Sequence, residues 1–183
     1  MRALLSDPAP AEFEALLERR RRWGADRRDE VWQGVLHVNP APHGRHAKLQ
    51  AQLLRLLGAY ADAAGLTALG DFNLGDRDDY RIPDAGLLRP GPDELYYATV
   101  ALAIEILSPG GETWDKLPFY AAHGVDELLI LDPAAQTIRW LTRSGERYEP
   151  IARSGLIELS AGELAGELDW PAAEPSAKKP PVL

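Results

Sequence analysis

Asp84, Glu105 and Lys116 are separated by 21 and 11 residues, and they are the three kinds of group that phosphodiester hydrolysis requires. Two hard carboxylates hold Mg²⁺, with Mn²⁺ as a substitute. The ion acidifies a water and neutralises the phosphate, while an ammonium orients that water or offsets developing charge. In many such sites a main-chain carbonyl on the glutamate strand adds a metal ligand, and Ile106 is the candidate here. Each residue also has a plainer interpretation. Glu105 is equally a structural acid paired with a core Lys or Arg, Lys116 a surface lysine beside Glu112 and Asp115, and Asp84, after Pro83, a turn residue.

The elements that must position these groups follow from hydrophobic patterning. Glu105 is the single charge in the apolar run Thr99-Val-Ala-Leu-Ala-Ile-Glu-Ile-Leu107. Such a run predicts a strand covered on both faces, where an unpaired carboxylate costs several kcal/mol. On a period of two, Val100, Leu102, Ile104 and Ile106 share one face, and Ala101, Ala103, Glu105 and Leu107 the other. Pro83 removes a ladder donor, so Asp84 is expected at the margin of a neighbouring strand over 84–88. Trp114–His123 predicts a short helix closed by Gly124; Pro118 belongs near its regular start, which leaves Lys116 in or just before the first turn, facing the strand ends.

Elsewhere, leucines at 49, 53, 54, 56 and 57 with Tyr60 predict a helix over 45–64 capped at Gly65. A shorter helix is expected over 9–22 after a possible Asp7 cap, with the Arg19–Arg22 run as a solvated end. Val31–Val38 predicts a hairpin turning at Gln33-Gly34. Further strands are expected at 66–74, 127–132, 136–142 and 155–159. A long helix, mostly antiparallel strands and one helix bridging two strands imply an α/β (α+β) layer with a mixed central β-sheet flanked by helices. His43 and His46 make a metal pair only if both are helical, which Gly44 opposes. The tryptophans and the Tyr96-Tyr97 pair are read as packing, and Gly110-Gly111 as a tight turn.

The 183 residues suit one domain. The parts are an N-terminal helical segment over 1–30, the main domain over 31–172 and a disordered tail over 173–183. The absence of Cys excludes disulfides, thiolate metal sites and cysteine nucleophiles. No apolar segment is of membrane-spanning length and the N-terminus lacks the apolar core of a secretion signal, so the expected compartment is cytoplasmic. Residues 1–55 hold 10 Lys/Arg against 7 Asp/Glu, and residues 56–183 hold 10 against 21, within a net charge of −8. A nucleic-acid partner therefore needs a local basic groove.

Ile82-Pro-Asp84, Ile104-Glu105-Ile-Leu-Ser-Pro109, Asp115-Lys116-Leu, Phe119–Val125 and Leu129–Pro133 occur in an order that resembles the Uma-type putative restriction endonuclease family of the PD-(D/E)XK nuclease superfamily. The resemblance runs from about Val31 to Asp169. It implies a restriction endonuclease-like core with Asp84 and Glu105 as Mg²⁺ ligands and Lys116 as the catalytic lysine. Leu107 occupies the place of the superfamily's usual Glu-x-Lys lysine, and in this family that lysine lies on the following helix, as Lys116 does. His46 matches a histidine the family often shows. Relatives have a longer Ser-Pro to Lys loop with Asp four residues before the Lys, whereas Glu112 stands there in this shorter loop. The expected activity is Mg²⁺-dependent DNA endonuclease. Superfamily analogy implies a homodimer, because cutting a duplex needs two sites. The alternatives are a catalytically inactive nuclease-fold protein acting as a binding or assembly module and, less favoured, a two-carboxylate glycoside hydrolase.

Overall fold

Leu49, Leu53, Leu57 and Ala61 recur every four residues and line the buried face of the longest helix, α2 (Gly44–Ala63), in a computed structural model that describes residues 2–3 and 11–172. His43 caps this helix by accepting a hydrogen bond from the Arg45 amide, so it starts one residue before the expected position. Gly65 follows the C-terminus with φ +68°, the left-handed conformation that closes helices.

Against α2 lies a mixed sheet. Its order is β12 (Arg147–Ile151), β11 (Thr137–Ser144), β10 (Glu127–Asp132), β9 (Leu102–Ile106), β7 (Ala85–Leu88) and β4 (Thr67–Leu69). Within this sheet, among the described residues, only β9 and β10 pair in parallel, and every residue of β9 is buried. Leu102, Ile104 and Ile106 join the α2 leucines in one core cluster; Ala103 faces a second cluster with Phe119 and Tyr120. Val100 falls in the second cluster, contrary to the period-two assignment, because the regular strand begins only at Leu102.

A second sheet covers the other side of the chain's middle. It is ordered β1 (Arg2–Ala3), β3 (Val35–His37), β2 (Glu30–Trp32), β6 (Asp79–Arg81), β5 (Asn73–Asp76) and β8 (Tyr96–Tyr97). Gln33 and Gly34 both have positive φ, +50° and +80°, as a two-residue hairpin turn between β2 and β3 demands.

Three expectations need correction. The stretch 66–74 is not one strand: β4 ends at Leu69, a bend at Gly70–Asp71 follows, and the chain re-forms as β5 in the other sheet. Residues 155–159 form bends rather than a strand, because Glu127 captures the Gly155 amide and the Ser154 hydroxyl from inside the core. The helix at 114–123 is a 3₁₀ turn, Thr113–Lys116, continued by α3 (Leu117–Ala122), with Pro118 in the first helical turn. The first helix is α1 (Ala11–Trp23), none of whose residues is buried, and the last is α4 (Ala161–Glu167), opened by a reciprocal Ser160–Glu163 capping box. The proposed Asp7 cap and the 173–183 tail lie outside the described residues.

Candidate active site

β7 and β9 pair antiparallel with Ala85 opposite Ile104, and one further step of that register sets Asp84 opposite Glu105. The Asp84 amide continues the ladder by donating to the Ile104 carbonyl at 3.0 Å. Its Oδ2 accepts the Ile106 amide at 2.8 Å. One acid therefore sits at the start of its strand and the other near the end of its neighbour, as the sequence placed them. Both are buried, Asp84 6 % and Glu105 5 % exposed.

Lys116 reaches them despite the short loop. Its Nζ donates to Glu105 Oε1 at 3.0 Å and to Glu30 Oε1 at 2.9 Å. The surface-lysine alternative does not hold, since Lys116 is 8 % exposed. Glu112, at the spacing where relatives carry Asp, turns away and pairs with His37 Nδ1 at 2.7 Å. Tyr120, one helical turn beyond Lys116, donates its hydroxyl to Glu105 Oε1. The Lys116 and Tyr120 hydrogen bonds both fall on the same Glu105 oxygen, Oε1.

Glu30 was not singled out by the sequence, yet it is the most deeply buried acid of the group at 1 % exposed. Its two oxygens satisfy three donors: the Ile82 amide and Lys116 Nζ on Oε1, and Trp32 Nε1 on Oε2 at 2.6 Å.

Burial pushes the Glu105 carboxyl up to about 7; Lys116 pulls it down, Asp84 and Glu30 add to the rise, and the Tyr120 hydrogen bond opposes it. For Lys116, burial alone would lower the value, but Glu105 and Glu30 more than offset it and hold the ammonium above the ordinary lysine range. Burial followed by Glu105 likewise raises Tyr120, so its hydroxyl stays a donor.

Asp84 Oδ1 is shared by Arg28 Nη2 at 3.0 Å and His46 Nε2 at 2.8 Å. Arg28 also grips Asp71 with Nη1 at 2.9 Å, and Gln50 Nε2 ties the Asp71 carboxylate to the Asp84 carbonyl. Thus, among the described residues, Asp84, Glu105, Glu30 and Asp71 pair only with Arg28 and Lys116 as permanent cations. Two negative charges are left over when all four acids are ionised. His43 and His46 do not form a pair: His43 caps α2 while His46 points to Asp84. Beside His46 opens a cleft of about 500 Å³, bordered among others by His43, Arg45, Ser108, Pro109, Asp132 and Pro133.

The second sheet fastens to the lysine-bearing helix through a stack of side chains. Trp32 lies on His37 with ring centroids 4.0 Å apart, and the Arg81 guanidinium sits 4.3 Å from Trp32 and 4.0 Å from Phe119. Phe119 in turn stacks on His123 at 3.8 Å. Arg81 Nε is buried without a hydrogen bond among the described residues, and the two ring faces supply the compensating attraction.

Glu30 and Arg28 escaped the sequence reading because Asp26-Arg-Arg-Asp-Glu30 looks like a solvated turn. Tyr120 carried a usable signal, its i+4 spacing from Lys116 on the predicted helix.

This mixed α+β architecture is that of a nuclease fold. The crystal structure of a putative nuclease belonging to DUF820 from Anabaena variabilis ATCC 29413 superposes with a TM-score of 0.61, covering 76% of this chain and 90% of that one at 18% identity. The Uma2 family model, described as "Putative restriction endonuclease", matches residues 10–171, and the chain belongs to that family. Membership places it among nuclease-like proteins. An electron cryomicroscopy structure of a DrdV–DNA complex is matched at a TM-score of 0.39 and 18% identity over 64% of this chain, which is 10% of that chain, too weakly to bear on function. No curated protein matches.

Proposed function

We propose that the protein is a Mg²⁺-dependent DNA endonuclease. The observation that carries this reading is the convergence of Asp84, Glu105 and Lys116 on one buried locus, built by adjacent strands and the helix that follows them. The donor set suits a divalent cation. Two opposed carboxylates lie within a group of charges that is short of two positive ones, and the Lys116 and Tyr120 bonds to Glu105 both fall on Oε1. Asp84, Glu105 and the Ile106 carbonyl would hold the ion. Bound there, Mg²⁺ or Mn²⁺ supplies phosphate neutralisation and acidifies a water.

The chain's own residues have distinct tasks. Lys116, kept protonated by Glu105 and Glu30, directs an N–H towards the reacting phosphate or its attacking water. Tyr120 and Glu30 fix the rotamers of Glu105 and Lys116. Arg45 gives the DNA backbone a cationic contact in the cleft, which Asp132 also lines, on an otherwise acidic surface. By superfamily analogy two copies of the chain would supply the two sites for the two strands, and the expected compartment is the cytoplasm. Among the described residues no helix is long and apolar enough to cross a membrane.

One observation favours a second reading, a nuclease-fold binding or assembly module. Arg28 and Lys116 already neutralise the two acids in place. Plasmid, single-stranded and branched DNA incubated with Mg²⁺, Mn²⁺ or EDTA separate the two. Metal-dependent cleavage abolished in Asp84→Asn is expected for the enzyme. No cleavage of any substrate, with no calorimetric heat on Mn²⁺ titration, removes it in favour of the module.

A further inference from the structure

Arg28 stands in the turn at 24–28 between α1 and β2, and its backbone is fixed there by Asn39 Nδ2, which donates to the Arg28 carbonyl at 2.9 Å. From this point the guanidinium bridges two acids of unlike exposure. Nη1 holds Asp71, whose side chain is 37% exposed at the rim; Nη2 holds Asp84, whose side chain is 8% exposed at the floor. Asp71 does not depend on Arg28 for its position, because Gln50 binds it separately.

We propose that Arg28 is a two-position residue: it occupies Asp84 while the site lacks a divalent cation, and once a cation arrives it pivots on Asp71 to bind a DNA backbone phosphate. This inference rests on the nuclease reading and assigns that site a phosphate-binding residue. Three features support it. A cation in hydrogen-bond contact with Asp84 Oδ1 repels a divalent ion on the same carboxylate, so the two occupants compete. The guanidinium releases Asp84 by breaking one hydrogen bond while its second arm stays on Asp71, which makes the release cheap and keeps the freed arm at the site. That free arm is a planar pair of N–H donors, the geometry that matches phosphate oxygens. The residue therefore satisfies the buried acid before loading and the substrate afterwards.

The test uses full-length protein with Mn²⁺ alone in calorimetry, and a fluorescein-labelled duplex in anisotropy with Ca²⁺ as the non-cleaving ion. Arg28→Gln should bind Mn²⁺ about tenfold more tightly than wild type. The same variant should bind the duplex more weakly, with a salt slope lower by about one. Arg28→Lys keeps the charge but not the fork; it should retain the wild-type slope and show an intermediate Mn²⁺ affinity, and it stands in should Arg28→Gln not fold. Two effects of opposite sign from one substitution are the signature. Unchanged or weaker Mn²⁺ binding in Arg28→Gln, against a wild type that binds the ion, overturns the inference and leaves the nuclease reading intact. No Mn²⁺ binding by either protein overturns both.

Discussion

The raised Glu105 carboxyl makes stability fall with pH, in a window set by that one residue. An ordinary side chain of this type titrates at 4.5, and in the fold burial moves Glu105 to about 7. The native state therefore binds a proton that the unfolded chain has already released. Its stabilising contribution is complete below about pH 4.5 and disappears as pH rises through about 7. At about 1.4 kcal/mol per tenfold, that gap corresponds to about 3 kcal/mol. Glu105→Gln keeps the shape and an oxygen for Lys116 and Tyr120 but cannot ionise. Urea unfolding of both proteins at half-unit steps from pH 4.5 to 8.5, without divalent ions, gives two curves whose difference isolates this carboxyl. Wild type should lose about 3 kcal/mol relative to the variant across the range. Adding Mn²⁺ at pH 8 should restore wild type and not the variant, by mass action on the native state. A flat difference, or one that grows in favour of wild type at high pH, refutes the claim that burial outweighs Lys116 at this carboxyl.

Glu30→Gln should destabilise the fold by about 2 kcal/mol in the same urea assay, because an amide cannot satisfy the three donors that share the two Glu30 oxygens. It should also shift the Glu105-dependent loss of stability to lower pH, since Glu30 is one of the charges raising that carboxyl. Gly75→Ala should cost more than about 2 kcal/mol: the backbone there has φ +119°, and a Cβ would lie 2.3 Å from the Asp79 carbonyl and 2.8 Å from Phe119. Thermal unfolding followed by circular dichroism reads that loss directly.

What the sequence made legible was local or periodic. The four-residue recurrence of leucines gave α2, Gln33-Gly34 gave the hairpin, and the apolar run at 127–132 matches β10 residue for residue. Pro118 located Lys116 correctly because a proline ring constrains its own helix start regardless of tertiary context. Failures came where distant groups decide local form. Residues 155–159 alternate like a strand, but a buried acid 28 positions before Gly155 holds that segment in bends. β12 went unseen because Arg147-Tyr-Glu-Pro-Ile151 is charged and contains Pro150, features tolerated there since β12 is an edge strand. α4 lies outside the predicted elements, although Ser160 and Glu163 spell a capping box in the sequence. At the site, the two acids lay on recognisable strand patterns, whereas Glu30 and Arg28 are brought in by pairing between segments some fifty residues apart, which no short window contains.

The alternation of rings and guanidinium from His37 through Trp32, Arg81 and Phe119 to His123 works as a splint between the outer sheet and α3. Tilting that helix would open several face-to-face contacts at once, so the ammonium it delivers is held at a fixed height above the strands.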